Sequence, residues 1–474
     1  MSSRSYFFGP VSRRSFLRTS ALAAGALTIG GRTLAAGTAK LKGAGNKLNI
    51  ACIGGGGGKG SGDCDEFVKL GENIVAIVDV DLERANKKAA SLKEKFPDIK
   101  VYSDYRKCLE EMGEKIDACT VSTPDHMHAP ISMAAMSMGK HVYTQKPLTW
   151  CVGESRAMKA MAKEKGVITQ MGNQGSGHDS LRRGVEIVQA GIIGEVKEIQ
   201  AWTNRPVWPT QGKPRAEGED PIPESLKWDL WLGVAPARPY KAKIYHSFNW
   251  RGFKDFGGGA LADMACHLWN FYFRALKLGY PSSCMAENSD NFEDTFPANG
   301  KVTFEFPARE GLPPVKLVWR EGGQKPNDDE VPDVKKFQLE RAKENKLPNN
   351  GVVLIGSKGV IYQRDDYGGE LFLKLKGEEN LVSISKHEAC SEKIIPITIP
   401  RTKNHYGEWS EACKTGAETY SRFEIAGFLT ETILVGTLAQ RFDKQKIEWD
   451  GPNAKCLNIA AVNDHVSRKY RTGW

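Results

Sequence analysis

Residues 48–62, LNIACIGGGGGKGSG, constrain the fold of this chain more than any other stretch. Leu48 to Ile53 is a short apolar run that reads as a buried strand of a parallel sheet. Five consecutive glycines follow, Gly54 to Gly58, then Lys59 and Gly60. A Gly-x-Gly-x-x-Gly pattern fits best as Gly55, Gly57 and Gly60. The run is longer than the pattern needs, so Gly54 and Gly56 are alternatives for its first two places. Glycine tolerates positive φ and lets the backbone approach a pyrophosphate closely. A helix after such a loop aims its free N–H groups and positive dipole end at phosphates. The next apolar run, Glu72 to Val80, reads as a second strand with Asp79 at its end, 19 residues after Gly60. That is close to the spacing of an acid that hydrogen-bonds ribose hydroxyls. Such an acid repels a 2′-phosphate, so the expected cofactor is NAD rather than NADP.

The chain has 474 residues, enough for two or three domains, and its 40% hydrophobic and 26% charged content is that of a globular protein. Ser12 to Arg18, SRRSFLR, matches a twin-arginine export pattern. The apolar segment after it, Ala21 to Gly30, is too short to span a bilayer, and Leu34-Ala35-Ala36 offers small residues for cleavage. The expectation is a signal peptide over 1–36, a linker over 37–47, recognition by the twin-arginine export machinery, and a periplasmic or otherwise exported product. No later segment has the length and apolarity of a membrane span. The signal carries five arginines and no acid, so its removal lowers the formal charge from +9 to +4. With no basic stripe interleaved with aromatics, no nucleic-acid partner is expected. The ten cysteines form no C-x-x-C, and twin-arginine export moves chains already folded in a reducing compartment, so free thiols are expected rather than disulfides.

Strands are expected at Lys100–Tyr102, Ile116–Ser122, His141–Thr144 and Val167–Gln170, with helices over 82–96, 105–112, 129–138 and 153–166 between them. This alternation describes a doubly wound sheet over 48–171, with ligands bound at the strand ends. Beyond it, 172–474 forms a second domain. Its helices are expected at Asp179–Gly191, His405–Cys413 and Arg422–Ala439. Its strands begin at Val196–Trp202 and continue at Gly300–Phe306, Val315–Trp319, Val352–Ile355, Val360–Gln363, Glu370–Leu375 and Ile394–Ile399, with a last short strand or edge at Ile447–Asp450. Charge marks Pro326–Asn350 as an exposed insertion.

Several motifs stand in a recognisable order: Ser122-Thr123-Pro124-Asp125-His126, Gln145-Lys146-Pro147, Gly172-Asn173-Gln174, Trp228 to Gly233, His246…Trp250-Arg251, and Gly257 to His267. Together they resemble the glucose–fructose oxidoreductase, inositol dehydrogenase and MocA family over nearly all of the mature chain. The resemblance implies an α/β fold: an N-terminal Rossmann doubly wound parallel sheet plus a C-terminal α/β domain with an open, mostly antiparallel sheet. It also implies a sugar, sugar-derivative or cyclitol substrate, and a family-like homo-oligomer is an open expectation. Where this chain has Gln145-Lys146-Pro147 the family usually has Glu-Lys-Pro, so one carboxylate beside the lysine is missing.

Hydride transfer from a carbinol requires that its hydroxyl proton be accepted and its developing alkoxide stabilised. Lys146, at a strand end, supplies a cation or donor beside the nicotinamide and so is a cofactor-binding as well as a catalytic candidate. Asp263 and His267 stand at i, i+4, which puts both on one face if the segment is helical. That pair reads as a stabilising helix pair, or as an acid/base histidine whose aspartate orients it or binds substrate. The resemblance implies that Lys146, Asp263 and His267 form the catalytic group. Thr123, Pro124 and His126 read as nucleotide-side loop residues, and Asn173 and Gln174 as amide donors to cofactor or substrate. His126-x-His128 is too few ligands for a metal site, and none is expected. Tyr245, His246, Trp250 and Arg251 are candidates for stacking on and hydrogen bonding to a sugar. The expected function is an exported NAD(H)-dependent oxidoreductase acting on a hydroxyl. The alternatives are a redox-neutral NAD-dependent glycoside hydrolase and a non-catalytic ligand-binding protein.

Overall fold

Strand β1 (Asn49–Ile53) lies inside six parallel strands ordered β3-β2-β1-β4-β5-β6, the others being β2 (Asn73–Val78), β3 (Lys100–Tyr102), β4 (Ala118–Val121), β5 (His141–Thr144) and β6 (Thr169–Met171). This computed structural model describes Gly43 and residues 46–327, 329–331 and 347–474. The segment expected to be a twin-arginine signal and most of the expected linker lie outside the described residues. Helices α1 (Gly58–Lys69), α2 (Leu82–Leu92), α3 (Tyr105–Met112), α4 (His128–Ser137) and α5 (Val152–Lys165) connect the strands and cover them. Burial on both faces explains why β1 and β4 read as continuous apolar runs. The strand order reverses between β1 and β4, and a crevice opens at their C-terminal ends. Asp104 caps α3, its carboxylate accepting from the Arg106 N–H at 2.9 Å.

The second sheet has ten strands: β7 (Val196–Trp202), β8 (Ser283–Asn288), β9 (Gly300–Phe306), β10 (Val315–Glu321), β11 (Gly351–Gly356), β12 (Gly359–Gln363), β13 (Leu371–Leu375), β14 (Val382–Ser383), β15 (Ile447–Asp450) and β16 (Lys455–Cys456). Their order is β14-β13-β12-β11-β7-β10-β9-β8-β15-β16. Among the described residues of this sheet, only β7 and β10 pair in parallel; the other pairings are antiparallel. The fold is therefore the expected α/β pairing of a Rossmann sheet with a mostly antiparallel one. In β9, Val302, Phe304 and Phe306 alternate inward, the period of a strand with one face on the core.

The remaining helices are α6 (Asp179–Gln189), α7 (Trp228–Leu232), α8 (Gly259–Leu268), α9 (Asn270–Ala275), α10 (His405–Thr415) and α11 (Phe423–Arg441). Helix α11 packs on α5 from the first half and on α8, β8 and β9 from the second. Every residue from Leu429 to Gln440 is buried. Glu431, fully buried, accepts from Arg156 Nε at 3.0 Å and lies 3.6 Å from Lys159 Nζ, both on α5. Nearby, Ser155 Oγ donates to the Gly427 carbonyl at 2.7 Å.

Three expectations need correction. Ile394–Ile399 is not a strand. Pro396 and Pro400 interrupt it, Ile394 and Ile397 are exposed, and the Thr398 and Ile399 N–H groups donate to the buried Glu186 carboxylate instead of a ladder. The insertion over 326–350 is not simply exposed. Its described ends bury Val331 and Leu347 against Trp202, Val353 and Tyr362. The helix from Leu82 stops at Leu92, short of Phe96. Strand β8 was not anticipated, because SCMAEN carries few β-branched or aromatic residues. All ten cysteines are free and buried.

Candidate active site

The glycine run turns directly off β1. Gly54 takes φ +75°, and a Cβ there would lie 2.6 Å from the Ser122 carbonyl oxygen. The Gly54 N–H donates to Val78 O at 2.8 Å. A Cβ on Gly60 would lie 2.0 Å from the Gly54 carbonyl oxygen, so glycine there lets α1 pack against the turn. Gly57 precedes α1, whose first turn carries no acid, and Gly57 and Gly58 line the mouth of a cleft. The N-terminal N–H groups of α1 thus face the place a phosphate would occupy.

Asp79 follows β2 and lines the same cleft. Its carboxylate accepts from the Gly56 N–H and the Asp81 N–H, each at 3.0 Å, which fixes its direction; burial pushes its pKa up. Arg84, beside it, is tied to Asp81 at 3.1 Å. Replacing Asp79 with Ala is expected to weaken NAD binding by about tenfold to a hundredfold and narrow the preference over NADP, the usual cost of a charge-assisted hydrogen bond being about 1.5–3 kcal/mol. Titration with both nucleotides checks this; unchanged affinity and preference would remove Asp79 from the site.

The cleft has a cavity volume of about 220 Å³ and runs from Ser103 and Tyr105 to Lys146 and Arg251. Lys146 stands after β5. Its Nζ donates to Asp263 Oδ1 at 2.7 Å and to the Asp263 carbonyl at 2.9 Å. Arg251 Nε donates to the same Oδ1 at 3.2 Å. Burial raises the Asp263 pKa, but Lys146 and Arg251 outweigh it and hold the carboxyl well below the usual range. Burial pulls the Lys146 pKa down, yet Asp263 reverses this and the net shift is upward. Both groups are therefore charged at neutral pH.

His267 lies one turn after Asp263 on α8, buried, with its ring edge-on to Tyr367 at 4.8 Å. Burial first, and the Lys146 charge second, push its pKa well below the usual value, so the imidazole is neutral. Its Nδ1 has no hydrogen-bond partner among the described residues. Neither Asp263 nor His267 lines the cleft; Asp263 meets it through Lys146 and Arg251, which do.

Other candidates are placed unevenly. Thr123, Pro124, His246, Trp250 and Arg251 line the cleft; Asn173, Gln174, Tyr245 and His126 do not. His126 turns away into an aromatic cluster, its Nε2 3.0 Å from Trp231 O. His128 instead braces the loops, its ring nitrogens 2.8 Å from Pro147 O and 2.9 Å from Thr123 O. Tyr245 is buried among Trp228, Phe253 and Phe256. His246 sits on Asp81 at 3.2 Å, beside the nucleotide acids rather than beside Lys146. Asn173 is fully buried, accepting from Ser421 Oγ at 2.6 Å.

Gln174 enters a network that the sequence did not disclose. Its amide donates to Tyr406 OH at 3.3 Å, and Tyr406 OH donates to the buried Asp63 at 2.7 Å. Ser122 Oγ and Gln145 Nε2 each donate to the other Asp63 oxygen at 2.8 Å, and Lys59 also pairs with Asp63. Gln145 stands where the resembled family usually has glutamate, and a carboxylate there would face Asp63 at hydrogen-bond distance. Asp125 was also missed as an ionisable group. It lines the cleft, and burial pushes its pKa up to about 8 despite Arg251 and Lys146.

Comparisons with known proteins agree with this geometry. Residues 48–173 match the family described as oxidoreductase, NAD-binding Rossmann fold, and 186–305 match its C-terminal alpha/beta domain. A levoglucosan dehydrogenase of Pseudarthrobacter phenanthrenivorans is 27% identical over 171 residues, 35% of this chain and 34% of that protein. The scyllo-inositol 2-dehydrogenase (NAD(+)) of Bacillus subtilis is 33% identical over 109 residues, 23% of this chain and 30% of that protein. The aligned part thus spans about a third of these relatives. The crystal structure of an inositol dehydrogenase homolog from Azotobacter vinelandii, complexed with NADH and myo-inositol, superposes with a TM-score of 0.56 at 14% identity, covering 85% of this chain and 98% of that one. That likeness is one of fold. With both halves matched and the glycine loop, Asp79 and Lys146 set around one cleft, the chain belongs to the Gfo/Idh/MocA oxidoreductase family.

Proposed function

We propose that the protein is an NAD(H)-dependent oxidoreductase that acts on a hydroxyl of a sugar, sugar derivative or cyclitol. The observation that carries this is the charged Lys146–Asp263–Arg251 cluster at the end of the cleft that begins at the glycine loop and Asp79. The residues fit a dinucleotide: α1 offers an acid-free first turn, and Thr123 Oγ1 is buried with no hydrogen-bond partner among the described residues. The substrate class rests on relatives named for levoglucosan and scyllo-inositol.

Gly57 and Gly58 would hold the pyrophosphate, Asp79 a ribose, and Thr123 and Pro124 the nicotinamide side. When bound, NAD supplies the hydride acceptor. Lys146, kept charged by Asp263, donates to the substrate oxygen and stabilises negative charge as it develops. The hydroxyl proton passes by way of Lys146 to neutral His267, which does not itself line the cleft. Asp263 and Arg251 fix the lysine, and Trp250 walls the cleft against water.

The test is turnover of purified protein with NAD and a panel of free sugars, sugar acids and cyclitols, read as NADH. Sugar released from a glycoside without net NADH would replace this reading with the redox-neutral hydrolase. Tight ligand binding without any turnover would replace it with a binding protein. We propose also that the chain is exported, on the support of Arg13-Arg14 and the apolar run after them. Recovery of the protein only from the cytoplasmic fraction of its host would sink that proposal.

A further inference from the structure

We propose that Trp474 forms one wall of an adenine slot, so that the nucleobase of NAD stacks on its indole. The proposal rests on the reading that this cleft takes a nicotinamide dinucleotide. Strand order gives the cleft a direction. Lys146 follows β5, on the nicotinamide side of the β1/β4 switch, whereas Asp79 follows β2 and Ser103 and Tyr105 follow β3 on the opposite side. A dinucleotide with its ribose on Asp79 extends its base toward β3. Trp474 lines the cleft at that end.

The indole is delivered there by a tied strap. Arg468 Nε donates to Glu154 Oε1 at 2.9 Å, and Tyr470 OH donates to the same oxygen at 3.1 Å. Arg471 Nε donates to the Gly233 carbonyl at 3.0 Å, and its N–H to Val234 O at 3.2 Å. These anchors hold residues 468–471 without help from Trp474. The indole in turn lies 4.2 Å from the Arg106 guanidinium, which is itself held by Asp104 at 2.7 Å. Arg106 covers one face of the ring and Arg471 lies 5.8 Å from its centre, so the slot uses the indole's remaining face for a planar, uncharged base. It is also an addition to the glycine loop and Asp79, because it recognises neither phosphate nor ribose.

The test is calorimetric binding of NAD, ADP-ribose and nicotinamide mononucleotide to the full chain and to two variants. Base stacking on an aromatic side chain predicts that Trp474→Ala weakens NAD and ADP-ribose by about tenfold or more. Nicotinamide mononucleotide, which has no adenine, is expected to bind as in wild type, and this doubles as a check on the fold. Trp474→Phe keeps a stacking face and is expected to recover most of the affinity. Unchanged affinity for NAD and ADP-ribose in Trp474→Ala would overturn the slot while leaving the enzyme reading intact. Equal weakening of all three ligands would also overturn it, showing a strap that only supports the fold. A wild-type protein that binds no NAD would remove the functional reading and this proposal with it.

Discussion

Lys146→Ala is expected to lower turnover by about 10²–10⁴ while the fold and NAD affinity stay close to wild type. The ammonium is the charged donor at the end of the cleft proposed for the chemistry, and its hydrogen bonds go to Asp263 rather than to the glycine loop or Asp79. His267→Ala is expected to fall in the same range, because it removes the neutral imidazole one turn from Asp263. Since the two act on one proton and one developing charge, the double variant should lose little more than either single one. Steady-state rates with a substrate from the panel, together with nucleotide titration, check this. Wild-type turnover in a folded double variant would end the assignment.

Asp263→Ala is expected to cost about 3 kcal/mol of stability, besides most activity, because it leaves Lys146 and Arg251 in a buried site without their shared carboxylate. The effect carries a pH signature. The Asp263 pKa is lower in the folded chain than in the unfolded one, so its contribution is complete above the unfolded value of about 3.9 and is lost as pH falls toward the folded value. The gap between wild type and variant should therefore be constant near neutrality and shrink below about pH 4. Denaturant unfolding across that range is the measurement. A variant as stable as wild type at pH 7 would show that solvent, rather than Asp263, compensates the two cations.

The features readable from sequence were those whose meaning is local. A strand, a glycine turn and an acid at the next strand end lie within 32 residues, so β1, α1 and Asp79 were legible from spacing alone. Lys146 was legible because it follows a strand directly. Direction was not: His126 and Tyr245 have the right chemistry, but packing turns both into the aromatic cluster. Asp63 was invisible because Tyr406 lies 343 residues away, and a buried aspartate in a helix gives no signal of its partners. Trp474 was invisible for the same reason, its place depending on Arg471 meeting Gly233. Ile394–Ile399 was misread because apolar residues suggested a strand while the prolines beside them forbade it.

Helix α11 bears on how such a chain can change through descent. It serves as core to both sheets at once, and its buried Glu431 takes its countercharges from α5. The nucleotide half is therefore not an interchangeable cassette. Moved to another protein without α11, it would carry Arg156, Lys159 and the apolar face of α5 uncovered, and the helix left behind would hold a buried carboxylate with no cation beside it.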